Sequence, residues 1–129
     1  MIVVDSSVWI DYFNGASSRE AERLDRTIGS DLIVVGDLVL TEILQGFRTN
    51  ADFAAARSAL ETFDIVPMLG HDLAIRTAEN YRALRTRGVT VRKTIDMMIG
   101  TFCIERGLPL LFSDRDFQPL VDHLGLQVA

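Results

Sequence analysis

Four carboxylates in this sequence stand at positions from which they can meet and bind a metal ion. Asp5 and Asp114 close short apolar runs, whereas Glu42 and Asp96 lie near the start of helical stretches. Carboxylates gathered at one place repel and raise one another's pKa, and a fold tolerates that cost when cations neutralise the group. Ligation by oxygen alone favours Mg²⁺ or Mn²⁺ over zinc. The pattern predicts a site in which these four acids are both the metal ligands and the catalytic groups, with the metal activating water.

The elements that must position these acids alternate between two kinds of pattern. Short runs that are apolar throughout are typical of strands covered on both faces of a parallel sheet. They lie at residues 1–4, 32–35, 65–66, 108–112 and 126–128. Between them apolar residues recur at helical spacing, as at Leu40, Ile43, Leu44 and Phe47. This alternation predicts an α/β fold with a central, mostly parallel sheet of about five strands flanked by helices.

In open α/β sheets, ligands bind outside the carboxyl ends of the strands, and all four acids fall at that end. Each acid alone also has a structural explanation. Asp5 and Asp114 could be helix N-caps, Asp96 could complement a helix dipole, and Glu42 could be a solvated helix residue. The joint placement of all four favours the metal site.

The composition is that of an ordinary globular domain. The 129 residues carry a net charge of -5, with 48% hydrophobic and 24% charged residues, which excludes a disordered chain. The length predicts one domain over residues 1–129. No apolar run approaches the roughly 20 residues of a membrane span, and no basic leader precedes the first run, so neither a membrane segment nor a signal peptide is expected. A single cysteine, Cys103, excludes an internal disulfide and a cysteine metal site, and the expected compartment is the reducing cytoplasm.

Positive charge is concentrated in one window of this acidic chain. Residues 76–93 hold six cations and one acid, and Lys93 is the only lysine. Arginine guanidinium groups suit planar contacts with phosphate or carboxylate. Arg85, Arg87, Arg92 and Lys93 lie beside an acid-bearing helical stretch and are the candidate substrate-binding residues. A solvated helix face is the alternative explanation.

Four motifs occur in one order over almost the whole chain. They are residues 3–11 (VVDSSVWID), 40–43 (LTEI), 91–96 (VRKTID) and 111–117 (LFSDRDF). With these motifs the chain resembles the PIN-domain ribonucleases, specifically the VapC-type toxins of bacterial type II toxin–antitoxin pairs. The resemblance implies a single PIN-like domain with a twisted parallel sheet. It also implies a site that binds Mg²⁺ or Mn²⁺.

The resemblance assigns metal-site roles residue by residue. They go to Asp5, Glu42, Asp96 and Asp114. Asp116 matches a further acid of the family and is implied to be a peripheral ligand that acts through water. Ser6 and Ser113 match positions where the family often has Ser or Thr near the metal, and helix capping is an equal alternative for both. Where the family commonly has small alanines after the third acid, this chain has residues 97–101 (MMIGT), a difference that leaves the acids in place.

The function implied by the resemblance is metal-dependent hydrolysis of RNA by a toxin. Its implied partners are RNA, a VapB-type antitoxin and a second copy of the chain, with no membrane. One alternative is a non-catalytic module of the same fold that binds RNA or protein, but such a module would lack a ligand acid. A phosphoaspartate-type domain is disfavoured because the Asp114-Arg115-Asp116 pair follows the fourth strand rather than the first, and no lysine follows a strand.

Overall fold

The computed structural model describes residues 1–30 and 32–129 and confirms the predicted α/β architecture. Over those residues the strands are β1 (Ile2–Val4), β2 (Ile33–Gly36), β3 (Ile65–Val66) and β4 (Leu110–Leu111). The α-helices are α1 (Ser6–Phe13), α2 (Arg19–Thr27), α3 (Asp37–Gln45), α4 (Asn50–Leu60), α5 (His71–Thr86), α6 (Thr94–Arg106) and α7 (Gln118–Leu124), and a 3-10 helix spans Arg115–Phe117. No helix in this described part of the chain is both long and apolar enough to cross a membrane.

The strands pair in parallel and lie in the order β3-β2-β1-β4. β1, β2 and β4 are buried throughout, which is why their sequences are apolar without alternation. β1 and β4 are neighbours, with Val3 opposite Leu110. The residues that follow these two strands therefore leave the same edge of the sheet side by side, and the backbone N–H of Asp5 donates to the carbonyl of Leu111 (2.9 Å).

The last predicted strand, at residues 126–128, forms a single parallel bridge between Leu110 and Val128. The N–H of Leu110 donates to the carbonyl of Gln127 (2.9 Å), and its carbonyl accepts from the N–H of Ala129 (3.0 Å). Within the described residues the sheet thus has four strands rather than five. The C-terminal segment covers the outer edge of β4.

Helix α6 carries Asp96 and is held against α5 by a buried polar contact. Asn80 Nδ2 donates to Thr101 Oγ1 (3.1 Å), and both side chains are buried. The helix ends at Gly107, whose φ of 64° allows the left-handed conformation that closes many helices. Gly107 thus ends α6, while the contact between Asn80 and Thr101 holds this helix against α5.

Gly100 lets α6 approach α7 closely. A β-carbon at position 100 would overlap Leu120 Cδ2, and Leu120 is fully buried, so its side chain has no free space to enter. Overpacking a core costs about 1–3 kcal/mol, whereas replacing a helical glycine by alanine gains about 0.5–1 kcal/mol. We therefore expect Gly100→Ala to lower the free energy of unfolding by about 1 kcal/mol, measured by urea denaturation.

Gly46→Ala is the matched control for this substitution. The nearest atom to a β-carbon there is the carbonyl oxygen of Ile43 at 3.5 Å, which is ordinary contact. If Gly100→Ala is as stable as the unmodified protein or more stable, the expectation is wrong, and α7 can move away from position 100 without loss of stability.

Candidate metal centre

Five acidic side chains from separate parts of the chain converge at the carboxyl edge of the sheet. Asp5 follows β1, Glu42 lies on α3 and Asp96 on α6, while Asp114 follows β4 and Asp116 lies in the 3-10 helix. One carboxylate oxygen each of Asp5, Glu42 and Asp96 lie within 4.8 Å of one another. The same holds for Asp96, Asp114 and Asp116. The structure thus brings together all five predicted acids, and Asp96 belongs to both groups.

Asp5 caps a helix and still has one oxygen to offer. Its Oδ2 accepts hydrogen bonds from the backbone N–H of Ser7 (3.2 Å) and from Ser7 Oγ (2.6 Å), which makes Asp5 the N-cap of α1. Its Oδ1 is buried and has no hydrogen-bond partner among the described residues. Burial raises the pKa of Asp5 above its usual value, although the hydrogen bonds from Ser7 oppose that rise. Capping and metal binding are compatible here because they use different oxygens.

Asp96 and Glu42 form an inner group of acids with Asp5, and the carboxylates of both are costly to ionise. Asp96 is 3% exposed, and its Oδ2 is buried without a partner in the described part of the chain. Burial, followed by repulsion from Asp5, raises the pKa of Asp96 to about 7. The same two causes raise the pKa of Glu42, whose Oε1 accepts a hydrogen bond from Ser6 Oγ (3.1 Å). A cation would offset this repulsion and give the orphaned oxygens a partner, so the residues present fit a metal ion.

The outer acids, Asp114 and Asp116, each face a cation. Lys93 Nζ lies 3.5 Å from Asp114 Oδ2, and Arg92 Nη2 lies 3.6 Å from Asp116 Oδ2. The negative charge of Asp96 is the largest influence raising the pKa of Lys93. Asp114 also caps the 3-10 helix, because its Oδ1 accepts from the N–H of Asp116 (2.9 Å). Two of the four candidate substrate-binding residues, Arg92 and Lys93, therefore lie at the rim of the acidic cluster.

The other two candidate substrate-binding residues lie at the C-terminal end of α5. The Arg85 guanidinium lies 5.8 Å from the ring centre of Tyr81, and Arg87 is exposed at the C-cap of the helix. Arg85 lines a groove of about 400 Å³ between α5 and α6, which Thr94 also lines. Thr94 follows Lys93 directly in the sequence, but neither Lys93 nor any acid of the cluster lines this groove.

Ser7 is the site residue that sequence reasoning missed. Ser6 and Ser113 are the serines singled out by the resemblance, yet it is the hydroxyl of Ser7 that contacts Asp5. Ser113 Oγ in turn donates to Ser7 Oγ (3.2 Å). The available signal was the position of Ser7 two residues after a helix-capping aspartate, where its hydroxyl can reach the capping carboxylate.

Cys103 lies apart from this chemistry. Its side chain is 1% exposed, and burial raises the pKa of the thiol to about 12. A thiol held neutral in this way is a core residue rather than a metal ligand.

Comparison with known proteins identifies a family over most of the chain. The PIN domain family model matches residues 2–121. Ribonuclease VapC11 of Mycobacterium tuberculosis is 29% identical over 134 residues, which cover 100% of this chain and 98% of the relative.

Solved structures share the same fold at lower sequence identity. VapBC2 from Rickettsia felis, bound to a DNA fragment from its promoter, matches with a TM-score of 0.78 at 14% identity, over 100% of this chain and 98% of that chain. A toxin–antitoxin complex from Klebsiella pneumoniae matches with a TM-score of 0.71 at 21% identity, over 91% of this chain and 90% of that chain.

Proposed function

Because the chain belongs to the PIN-domain family, we propose that its acidic crevice is the metal-dependent active site of a VapC-type ribonuclease toxin. The observation that carries this proposal is the convergence of five carboxylates in two groups that share Asp96. Three buried oxygens of this cluster, on Asp5, Asp96 and Asp116, have no hydrogen-bond partner among the described residues. Such an arrangement is costly without a cation and is the donor set that Mg²⁺ or Mn²⁺ prefers.

The two groups of acids suggest how the ligands divide. Asp5, Glu42 and Asp96 would hold a cation at the buried end of the crevice, and Asp114 with Asp96 would hold one nearer the rim. Asp116, which faces Arg92, is the peripheral member and would act through water. When bound, the metal lowers the pKa of a water molecule and stabilises negative charge on the phosphate.

The chain's own residues prepare the crevice for a polyanion. Arg92 and Lys93 are paired with the two outer acids, and both side chains are more than half exposed. They can therefore exchange an acidic partner for an RNA phosphate without leaving the rim. Because water rather than the ribose 2′-hydroxyl attacks, the expected products carry 5′-phosphate and 3′-hydroxyl ends.

The test of this function is the mapping of new 5′-phosphate ends in total RNA. The toxin is induced briefly in cells that lack the antitoxin, and the same induction is repeated with Asp96→Asn. New ends that depend on Asp96 support the proposal. Identical RNA profiles for the two proteins would contradict it.

The partners follow from the same assignment. The likeness to the Klebsiella pneumoniae toxin–antitoxin complex supports a small VapB-type antitoxin that covers the crevice. A homodimer within that larger complex is part of the same proposal, as is RNA as the substrate.

The basic residues of α5 supply a test of RNA binding that is independent of the acids. If Arg85 and Arg87 contact phosphates, replacing both with Gln weakens RNA binding similarly across sequences. It also reduces the salt slope of log K by roughly 0.7 per lost contact with a single strand. The salt slope is measured with and without the two Gln substitutions, in both cases in an Asp96→Asn background so that the RNA stays intact. Stability changes little, because exposed charges count for less than about 1 kcal/mol.

Arg23 and Arg26 provide the matched control for this pair. Both are exposed on α2, and Arg26 lines a pocket that Tyr12 of α1 also lines. Their replacement with Gln should leave the slope unchanged. An unchanged slope for the Arg85 and Arg87 variant as well would remove the end of α5 from the RNA-binding surface.

A further inference from the structure

The two oxygens of the Asp5 carboxylate have different surroundings, and Ser7 creates the difference. Oδ2 accepts both the backbone N–H (3.2 Å) and the hydroxyl (2.6 Å) of Ser7. Oδ1 is buried without a partner among the described residues. A carboxylate held by two hydrogen bonds on one oxygen cannot turn about its Cβ–Cγ bond without breaking both.

The Ser7 hydroxyl is itself held by the neighbouring strand end. Ser113 Oγ donates to Ser7 Oγ (3.2 Å), and a hydroxyl that donates to a carboxylate has its lone pairs free to accept. Ser113 immediately precedes Asp114. The chain of hydroxyls thus joins the residues after β1 to those after β4, running from Ser113 through Ser7 to Asp5.

Helix capping alone does not require the Ser7 hydroxyl. The backbone N–H of Ser7 already satisfies the capping role of Asp5, and any residue at position 7 other than proline would supply it. The hydroxyl adds a shorter contact to the same oxygen, and its effect is on the orientation of the carboxylate.

We infer that Ser7 is a positioning residue that directs Asp5 Oδ1 toward the bound metal, and that Ser113 acts through it. This inference rests on the proposed function of the crevice. Groups that hydrogen-bond to metal ligands fix their orientation, and their loss costs about 10- to 100-fold in metal affinity or activity.

The test is the affinity for Mn²⁺ alone, measured by electron paramagnetic resonance on the purified protein without RNA. Ser7→Ala should weaken Mn²⁺ binding by about 10-fold or more. Ser7→Thr keeps the hydroxyl and should restore affinity close to that of the unmodified chain. Ser113→Ala should weaken Mn²⁺ binding less than Ser7→Ala does. The double variant should bind Mn²⁺ no more weakly than Ser7→Ala alone, because Ser113 has nothing to act through once the hydroxyl at position 7 is gone.

Two controls separate positioning from structure. Ser58→Ala, exposed on α4, should leave Mn²⁺ affinity unchanged. Thermal melting in chelator should show Ser7→Ala folded, and saturating Mn²⁺ should return most of its RNA cleavage. If Ser7→Ala does not fold, Ser113→Ala decides, since it leaves Asp5 capped.

Unchanged Mn²⁺ affinity in Ser7→Ala would overturn the inference, and so would additive losses of affinity from the two serine substitutions. If Ser7→Ala does not fold, unchanged Mn²⁺ affinity in Ser113→Ala would overturn it. Failure of the unmodified chain to bind Mn²⁺ would instead overturn the proposed function, so the two failures are distinguishable.

Discussion

Asp96→Asn is expected to reduce RNA cleavage by more than about 100-fold, since residues that merely support metal ligands are already worth about 10- to 100-fold. Asp96 is the acid shared by both carboxylate groups, so we expect its loss to weaken every metal position proposed for the crevice. The measurement is the initial rate of cleavage with saturating Mg²⁺. Asp25→Asn, exposed on α2, is the control and should cleave at the rate of the unmodified protein.

The same substitution should stabilise the metal-free protein. Burial and repulsion from Asp5 raise the pKa of Asp96 to about 7, so its ionised form opposes folding. Removing that charge is worth about 1 kcal/mol, or about 4 °C in melting temperature. The gain is smaller than the pKa shift alone implies because the amide must also be buried and Lys93 loses part of its attraction.

The raised pKa of Asp96 determines how the stability gain of Asp96→Asn changes with pH. Below about pH 4 Asp96 is protonated in both the folded and unfolded states, so the two proteins should differ little. Between about pH 4 and pH 7 the unfolded chain ionises first, and the stability of the unmodified protein falls as pH rises. The difference in melting temperature, measured in chelator, is therefore greatest above pH 7. A lower melting temperature for Asp96→Asn would mean that Asp96 stabilises the fold.

Chelation by EDTA is expected to abolish cleavage, and Mg²⁺ or Mn²⁺ should restore it. The reason is the buried set of oxygen ligands, which the chain's own cations neutralise only at the rim, through Arg92 and Lys93. Ca²⁺ should fail to restore activity, because it prefers a larger and looser shell of ligands and positions the attacking water poorly. The assay is cleavage of total RNA by purified protein, with each metal added back in excess over the chelator.

Two further observations decide whether the metal is needed for the chemistry itself. EDTA should leave the protein folded, as judged by circular dichroism, so that lost activity is not lost structure. Undiminished cleavage in EDTA would contradict the metal mechanism. Residual cleavage that Asp96→Asn does not reduce would indicate a contaminating nuclease.

The central strands and the acids at their ends were predictable from the sequence because burial of the sheet produces both the apolar runs and the polar residues that end them. A strand buried on both faces must be apolar throughout, and the polar residue that ends it lies at the edge of the sheet. β1 with Asp5 and β2 at Ile33–Gly36 are confirmed on this ground, whereas β3 at Ile65–Val66 is a partly exposed strand at the edge of the sheet. The apolar run at residues 126–128 carries the same signal but forms one bridge, since pairing depends on which strand lies beside it.

The finer parts of the site could not be predicted because they depend on distances between separate elements. The distance from Ser113 to Ser7 is set by the pairing of β1 with β4, which no local pattern encodes. The position of Arg85 over Tyr81 depends on the last turns of α5, so composition alone did not separate this arginine from Arg92 at the rim.

The order of the strands has a consequence for synthesis on the ribosome. β1 is synthesised before the other strands, yet it lies between β2 and β4, and among the strands of the described residues its partner β4 is synthesised last. Until then one edge of β1 is unpaired, and Asp5 is without Asp114 and Asp116. The complete set of five acids therefore comes together only after β4 and the 3-10 helix that follows it have been synthesised.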